Sequence, residues 1–98
     1  MRRISFTANP KFRLGDVYVT PRAMKALGGG YEAVAGMLRR HEDGDWGDVV
    51  NADRQANDQA LQDGMRLFST YHSENGTKFW VITEADRSAT TLLLPDEY

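Results

Sequence analysis

Residues 65–84, MRLFSTYHSENGTKFWVITE, decide the fold because two β-rich runs flank a turn sequence. Aromatic and β-branched residues are frequent in both runs, and these residue types favour strands. Asn75-Gly76 between two such runs is typical of a type I′ hairpin turn, in which both are central residues. That turn places Tyr71 opposite Trp80 in the antiparallel pair. The sequence therefore predicts a β-hairpin with this register.

One earlier strand and one later strand complete the predicted sheet. The strand over residues 12–19 ends in DVYV, where Val17 and Val19 alternate with more polar neighbours, as expected of a half-buried strand. A loop over residues 85–89 leads to the run TTLLL at residues 90–94. We expect this run to form the last strand, which Pro95 ends.

Three helices are predicted between the first strand and the hairpin. Thr20 is a suitable N-cap and Pro21 fits the first helical position, which predicts a short helix over residues 21–27. Apolar periodicity predicts a second helix over residues 31–40 and a third that Asp48 or Asn51 caps and that reaches residue 61. The third helix is expected to bury a narrow stripe of three alanines: Ala52, Ala56 and Ala60.

This order of elements predicts an α+β fold. One strand, three helices and three antiparallel strands place the helices on one face of a sheet of about four strands. A chain of 98 residues forms a single domain with a modest core, so one domain over residues 1–98 is expected. Residues 1–10 lack periodicity and end at Asn9-Pro10, which predicts a loose arm or a short edge strand.

Composition excludes several classes of protein. The formal net charge is −2 and the isoelectric point is near 5.6, so the chain lacks the bulk positive field that drives unspecific nucleic-acid binding. The absence of cysteine excludes disulfides, thiolate metal sites and a cysteine nucleophile. No apolar run approaches the roughly 20 residues of a membrane span. We therefore expect a cytoplasmic protein with no membrane partner.

Two polar stretches mark the predicted functional surface: residues 39–48 (RRHEDGDWGD) and residues 83–91 (TEADRSATT). Stretches that combine ionisable groups with glycine or a large aromatic side chain are where sites tend to lie. We expect the two stretches to meet, with Arg87 paired to a carboxylate of Asp43, Asp45 or Asp48. These carboxylates lack the spacing of a calcium-binding loop, and no metal or other cofactor is predicted.

Four segments together resemble one family of small proteins carried by phages, plasmids and integrative elements: RRHEDGDWGDVV, DRQANDQAL, MRLFSTY and FWVITEADRSATTLLLP. The resemblance covers residues 14–98 and implies a mobile-element accessory protein. The family has no firmly assigned activity. Its members are sometimes labelled restriction-system subunits, but a chain of 98 residues without a methyl-donor glycine-rich loop cannot be a methyltransferase subunit.

The layout of helices followed by an antiparallel meander is also similar to the barnase/RelE group of small ribonucleases and toxins. Members of that group cleave RNA through attack of the 2′-hydroxyl on its own phosphate, which requires a base, an acid and a cation. The similarity implies His41 as base or acid and Arg87 as phosphate clamp, with Thr91 as the third candidate catalytic residue. Tyr71 and Thr90 are further hydroxyls that could position the phosphate.

Three functions stay open from the sequence. A metal-independent nuclease requires His41, Arg87 and Thr91 to share one cleft. A nucleic-acid-binding module, with RNA as its partner, would instead need Arg39, Arg40 and Lys78 to line a groove with exposed aromatic side chains. Trp46 could be such a base-stacking side chain, or it could seal its loop onto the core. The third function is a non-enzymatic inhibitor that binds a host defence nucleoprotein, as anti-restriction and anti-CRISPR proteins do. The net charge of −2 is low for a DNA mimic, so specific protein binding is the expected form of inhibition.

Overall fold

The computed structural model describes residues 5–98 and shows an α+β fold, which confirms the predicted fold class. Within these residues the sheet has four strands and three α-helices precede the hairpin. The elements are β1 (Asp16–Val19), α1 (Pro21–Ala26), α2 (Tyr31–Glu42), α3 (Asn51–Asp63), β2 (Leu67–His72), β3 (Lys78–Thr83), β4 (Ala89–Leu93) and a 3₁₀ turn (Pro95–Glu97).

The strands lie in the order β1-β4-β3-β2. β2, β3 and β4 form the predicted antiparallel meander, and β1 adds to β4 in parallel, with Asp16 opposite Ala89. The first and last strands in the chain are therefore neighbours in the sheet. Only β1 and β2 are edge strands in this part of the chain.

The hairpin register differs by one residue from the prediction. Tyr71 pairs with Phe79, and Trp80 pairs with Thr70. A type I′ turn needs positive φ at both Asn75 and Gly76, but among residues 5–98 Arg87 is the only non-glycine residue with positive φ. Gly76 donates its N–H to the carbonyl of residue 73, and residue 73 donates to residue 77, so the loop has three residues and ends in a glycine bulge.

This register sorts the side chains of the sheet onto two faces. The first face packs against α1 and α2 and contains the main core, in which Tyr71, Phe79 and Val81 contact Val34 and Leu38. The second face carries the alternate residues of the strands: Phe68, Thr70, His72, Lys78, Trp80, Ile82, Thr91 and Leu93. No α-helix crosses the second face in the described residues, although the 3₁₀ turn contacts β3 there.

The start of α1 follows the predicted capping. The hydroxyl of Thr20 accepts a hydrogen bond from the N–H of Ala23 at 3.1 Å, and Pro21 occupies the first turn. Capping of this kind stabilises a helix by about 1 kcal/mol, which matters for a helix of only six residues. The end of α2 extends to Glu42, two residues beyond the prediction, so His41 lies inside the last helical turn.

Helix α3 runs along the free edge of β2, and of its predicted buried stripe only Ala60 is buried. Ala52 and Ala56 are exposed, and the buried residues are Asn57 and Ala60. The Asn57 amide donates to the carbonyl of Phe68 at 2.7 Å and accepts from its N–H at 3.0 Å. One side chain thus satisfies both backbone groups of an edge residue, and a polar residue belongs on the buried face for that reason.

Residues 5–10 form no strand and lie against the end of α2. The N–H of Phe6 donates to Oε1 of Glu42 at 2.6 Å, and the hydroxyl of Thr7 donates to Oδ1 of Asp43 at 2.7 Å. Burial raises the pKa of Glu42 above its ordinary value, and the hydrogen bond from the Phe6 N–H offsets only part of that rise. Part of the expected arm over residues 1–10 is therefore bonded to α2, through Phe6 and Thr7, and residues 1–4 lie outside the described part of the chain.

Candidate functional site

His41 lies in the core between the sheet and the loop that follows α2. Its ring is fully buried and packs edge-on against Phe12 and Trp46, with ring centroids 5.1 and 5.7 Å away. Nδ1 lies 2.6 Å from the Ser69 hydroxyl, and Nε2 lies 2.9 Å from the Thr83 hydroxyl. Both ring nitrogens therefore have protein partners.

The hydrogen bonds beyond His41 fix its tautomer. Thr90 donates to the carbonyl of Leu14 at 2.7 Å, so Thr83 donates to the Thr90 hydroxyl at 2.7 Å. The Thr83 hydroxyl then accepts from Nε2–H of His41, and Nδ1 accepts from Ser69. The result is a buried chain of hydrogen bonds in which every hydroxyl and both ring nitrogens are satisfied.

His41 is neutral in this setting. Burial and, to a smaller extent, the positive charge of Arg87 lower the pKa of His41 to about 3. A ring that is buried, neutral and bonded at both nitrogens has no nitrogen available to a substrate in this conformation. The geometry assigns His41 a structural role in the core.

Arg87 does not contact Asp43, Asp45 or Asp48, so the predicted ion pair is wrong. Its guanidinium donates to backbone carbonyls instead, with Nη1 2.6 Å from the carbonyl of Met65 and Nη2 3.0 Å from that of Ala60. Further bonds reach the carbonyls of Glu84 and Ala85. Arg87 joins the end of α3 to the β3–β4 loop, and it gives the Ala60 carbonyl a further donor beside the N–H of Gly64.

The structure does not bring His41, Arg87 and Thr91 into one cleft. Thr90 faces the core and takes part in the hydrogen-bond chain of His41. Thr91 is its neighbour in β4 and therefore points to the second face of the sheet, opposite Ile82. The sheet itself separates Thr91 from His41.

The predicted binding residues also have structural partners. Trp46 is buried and donates from Nε1 to Asp58 at 3.0 Å, so it seals its loop onto the core. Tyr71 is buried and donates to the carbonyl of Asp45 at 2.5 Å, and burial raises the pKa of Tyr71.

The two arginines at the end of α2 are exposed. Arg40 pairs with Asp45 at 2.7 Å, and its guanidinium lies 4.5 Å from the centre of the Tyr71 ring. Arg39 donates to the carbonyl of Phe6 at 3.3 Å. Neither arginine faces an exposed aromatic side chain, so they do not form the expected stacking surface.

The three aspartates of the first polar stretch point to different partners. Asp43 accepts from Thr7, Asp45 from Arg40, and Asp48 from His72. Within residues 5–98, no cluster of three or more histidine or acidic side chains could hold a metal ion.

A groove of about 370 Å³ lies on the second face of the sheet, between α3 and the C-terminal residues. Its aromatic lining is a row of three rings in which Trp80 meets Phe68 and Tyr98 edge to face, with centroids 5.1 and 5.8 Å apart. Arg66 stands at the rim, 5.5 Å from the centre of the Tyr98 ring, and donates to its hydroxyl. Asp53, Ala56, Asn57 and Ile82 complete the lining.

His72 lies on the same face, at the hairpin end of β2. Nδ1 of His72 is 2.7 Å from Oδ2 of Asp48, and the side chains are 38% and 70% exposed. Lys78 is its direct partner across the hairpin. The chain has two histidines, and this is the exposed one.

Sequence reasoning missed both the groove and the exposed histidine. The run FWVI at residues 79–82 is apolar on both faces of its strand, which is more than a sheet covered on one face requires. From that run, a second apolar surface on the other face of the sheet could have been predicted. The one-residue error in register obscured it, because the correct pairing sets Trp80 directly across from Thr70 and diagonal to Phe68, on one face of the sheet.

Comparison with known proteins adds no assignment. The chain matches no protein-family model, no curated protein and no solved structure. None of the helices within residues 5–98 is long and apolar enough to cross a membrane.

Proposed function

We propose that this protein binds single-stranded RNA on the second face of its sheet, as a cytoplasmic accessory protein of a mobile element. One observation carries the proposal: the groove with the aromatic row Phe68, Trp80 and Tyr98 and the cation Arg66 at its rim. The mobile-element context rests on the sequence resemblance alone. The partner is the RNA that the sequence predicts, but the proposed site is the groove and not the two polar stretches.

The aromatic row supports binding of unpaired bases. Trp80 is only partly buried, and Tyr98 is 66% exposed. Every base has a π-face, so stacking on such side chains is worth about 1–3 kcal/mol per base and tolerates different sequences. Exposed aromatic rings on a sheet are a common platform for single-stranded RNA.

The charges on this face support contact with a phosphate backbone. Arg66 stands at one end of the aromatic row, and the exposed Lys78 stands beyond Trp80 at the hairpin end. The net charge of −2 supplies no long-range attraction, so binding depends on these local cations. We expect a shallow salt dependence, because each phosphate contact contributes a slope of only about −0.7 in a single strand.

Tryptophan fluorescence tests the proposal. The chain has two tryptophans, and Trp46 is buried, so the Trp46→Phe variant leaves Trp80 as the single reporter at the groove. Titration with short single-stranded RNA should quench that fluorescence. In the wild-type background, Trp80→Ala removes this reporter, so its affinity is measured by fluorescence anisotropy of end-labelled RNA; it should be roughly 5- to 150-fold weaker than the wild type, because about 1–3 kcal/mol of stacking is lost.

Tyr31→Ala is the matched control, since Tyr31 is an exposed aromatic residue on α2, away from the groove. Its affinity for RNA should equal that of the wild type. Trp80 fluorescence that responds to no RNA would contradict the proposal and favour the non-enzymatic protein-binding inhibitor. Equal binding of single-stranded DNA would show that the groove does not select RNA.

A further inference from the structure

We propose that Asp48 and His72 form a catalytic dyad that cleaves RNA held on the second face of the sheet. The inference rests on the proposed function, since it takes the RNA-binding groove as given. Its own basis is the contact of 2.7 Å between Nδ1 of His72 and Oδ2 of Asp48, at the surface and on the groove side of the sheet.

The carboxylate fixes which nitrogen of His72 is free. An ionised carboxylate only accepts hydrogen bonds, so Nδ1 of His72 carries the proton that Asp48 accepts. In the neutral ring, Nε2 then has the lone pair. Within residues 5–98, no hydrogen bond occupies Nε2 of His72, whereas both nitrogens of His41 are taken. His72 therefore has the property of a general base that His41 lacks.

The backbone of Asp48 is bonded to the edge of β2 beside His72. Its N–H donates to the carbonyl of Thr70 at 2.8 Å, and the N–H of Thr70 donates to the carbonyl of Trp46 at 3.0 Å. Gly47 between them lies so close to β2 that a Cβ atom there would be 2.0 Å from the carbonyl oxygen of Thr70. The loop thus forms a bridge to the edge of β2 and sets the carboxylate beside His72.

The register places the dyad next to the groove and next to a cation. His72 is directly opposite Lys78, and such pairs have Cβ atoms about 5 Å apart. Trp80 is the diagonal neighbour of His72 at about 7–8 Å. One nucleotide can therefore stack on Trp80 while its phosphate lies beside His72 and Lys78.

These groups suffice for cleavage by the 2′-hydroxyl. Nε2 of His72 takes the proton from the 2′-oxygen, which forms a bond to phosphorus as the bond to the 5′-oxygen breaks. The Lys78 ammonium neutralises the charge that develops on the phosphate oxygens. Water protonates the departing 5′-oxygen, and the products are a 2′,3′-cyclic phosphate and a 5′-hydroxyl. Asp48 is a positioning residue that orients the ring through its hydrogen bond to Nδ1.

Cleavage of a labelled oligonucleotide in EDTA tests the dyad. One substrate has a single ribonucleotide within DNA, and the other is entirely DNA. We expect the wild type to cut only the first, at the ribonucleotide, with cyclic-phosphate and 5′-hydroxyl ends identified by mass spectrometry. His72→Ala should lower the rate at least about 100-fold, as loss of a general base does. Asp48→Asn should lower the cleavage rate while its RNA affinity stays at the wild-type level.

Binding is measured in parallel through Trp80 fluorescence, so the two proposals fail separately. His72→Ala that binds but does not cut supports the dyad, and Tyr31→Ala should cut at the wild-type rate. Binding without cleavage by the wild type would overturn the dyad and leave the RNA-binding function intact. Cleavage that persists in His72→Ala purified in the same way would also overturn it. Absence of both binding and cleavage would overturn the proposed function itself.

Discussion

His41 shows how a polar side chain can serve the core. Its ring bonds to the hydroxyls of Ser69 and Thr83. From Thr83 the hydrogen bonds continue across the sheet to the Thr90 hydroxyl and then to the carbonyl of Leu14, which lies just before β1. Because every member is satisfied, the chain avoids the cost of about 1–3 kcal/mol for a buried unpaired polar group. Its stability depends on His41 remaining uncharged.

This dependence predicts how stability changes with pH. The folded pKa of His41, about 3, lies below the ordinary value of 6.5, so the unfolded chain binds a proton that the folded chain does not. The stabilisation is complete above pH 6.5 and is lost as the pH falls towards 3. We expect the free energy of unfolding to fall by about 1.4 kcal/mol per pH unit in this window. Urea denaturation at pH 7, 6 and 5 measures it.

His41→Gln should remove most of that slope, and Tyr31→Ala, which changes an exposed aromatic residue of α2, should keep it. The comparison between variants matters because Glu42, whose pKa is raised by burial, contributes with the opposite sign below neutral pH. An equal slope in the wild type and in His41→Gln would contradict the prediction.

Sequence reasoning could identify His41 as unusual but not as buried. A histidine in the last turn of a helix, before a charged loop, is typical of an exposed residue that interacts with the helix dipole. Phe12 and Trp46 bury the His41 ring, and Phe12 comes from a segment far earlier in the chain. Such a contact depends on tertiary packing, which the local pattern around His41 does not contain.

At the scale of elements, two other parts of the chain cover the edge of β2, which would otherwise be exposed. Asn57 of α3 pairs with the backbone of Phe68, and the loop at Gly47 pairs with Thr70 two residues further along. These contacts occupy backbone groups that would otherwise be free to pair with another chain. The edge of β2 is covered by one helix and one loop.

The close approach of Gly47 predicts a large cost for a small substitution. Gly47 has φ +74° and no room for a Cβ atom, whereas Gly64 at the end of α3 has φ +70° and open space around it. Gly64→Ala should cost about 1–2 kcal/mol for the left-handed backbone alone. Gly47→Ala should cost at least about 1–3 kcal/mol more, because the loop must also move away from β2.

Thermal denaturation of the two variants measures the difference directly. The matched φ values remove the backbone contribution from the comparison, so the remainder reports the contact with Thr70. Equal melting temperatures for Gly47→Ala and Gly64→Ala would show that the loop yields without cost.

The elements themselves were largely predictable, and their pairing was less so. Thr20 and Pro21 fixed the start of α1, and Gly64 ends α3 in the left-handed conformation, as its position indicates. The hairpin was predicted but its register was not, because Asn-Gly also suits a three-residue loop in which only Gly76 has positive φ. The buried face of α3 was missed because Asn57 serves a strand edge that only the tertiary structure creates.

At the scale of the whole molecule, Arg87 holds together segments that are distant in the chain. Its guanidinium reaches carbonyls after α3 and within the β3–β4 loop, and it lies 5.8 Å from the centre of the Phe12 ring. These bonds replace solvent at the end of α3, where no basic side chain is present in the last turn. Arg87 is therefore a structural residue in this fold.

Arg87→Ala should lower the free energy of unfolding by about 1–3 kcal/mol, because charged hydrogen bonds to the carbonyls are lost. For a domain of this size, that corresponds to a fall in melting temperature of about 4–8 °C per kcal/mol. Arg39→Ala, which removes one exposed bond to Phe6, should change it little. Arg87→Gly should lose less than Arg87→Ala, because Arg87 has φ +61°. Equal melting temperatures for the alanine variants would contradict this role.

The candidate site was the least predictable level. The sequence drew attention to the two polar stretches, and one member, Asp48, does belong to the proposed dyad. Its partner His72 and the aromatic row lie on other elements, and the correct pairing of β2 with β3 decides that they share a face. A one-residue shift moves every side chain of a strand to the other face, so the site follows from the register.

The parallel pairing of β1 with β4 also constrains the order in which the chain can fold. Asp16 can pair with Ala89 only after the ribosome has synthesised the helices and the hairpin that lie between them. Contacts that close such a long loop are slow to form, whereas helices and hairpins close short ones. The nascent chain should therefore have an incomplete sheet until β4 has left the ribosome. Until then, the edges of β1 and β3 that pair with β4 stay exposed.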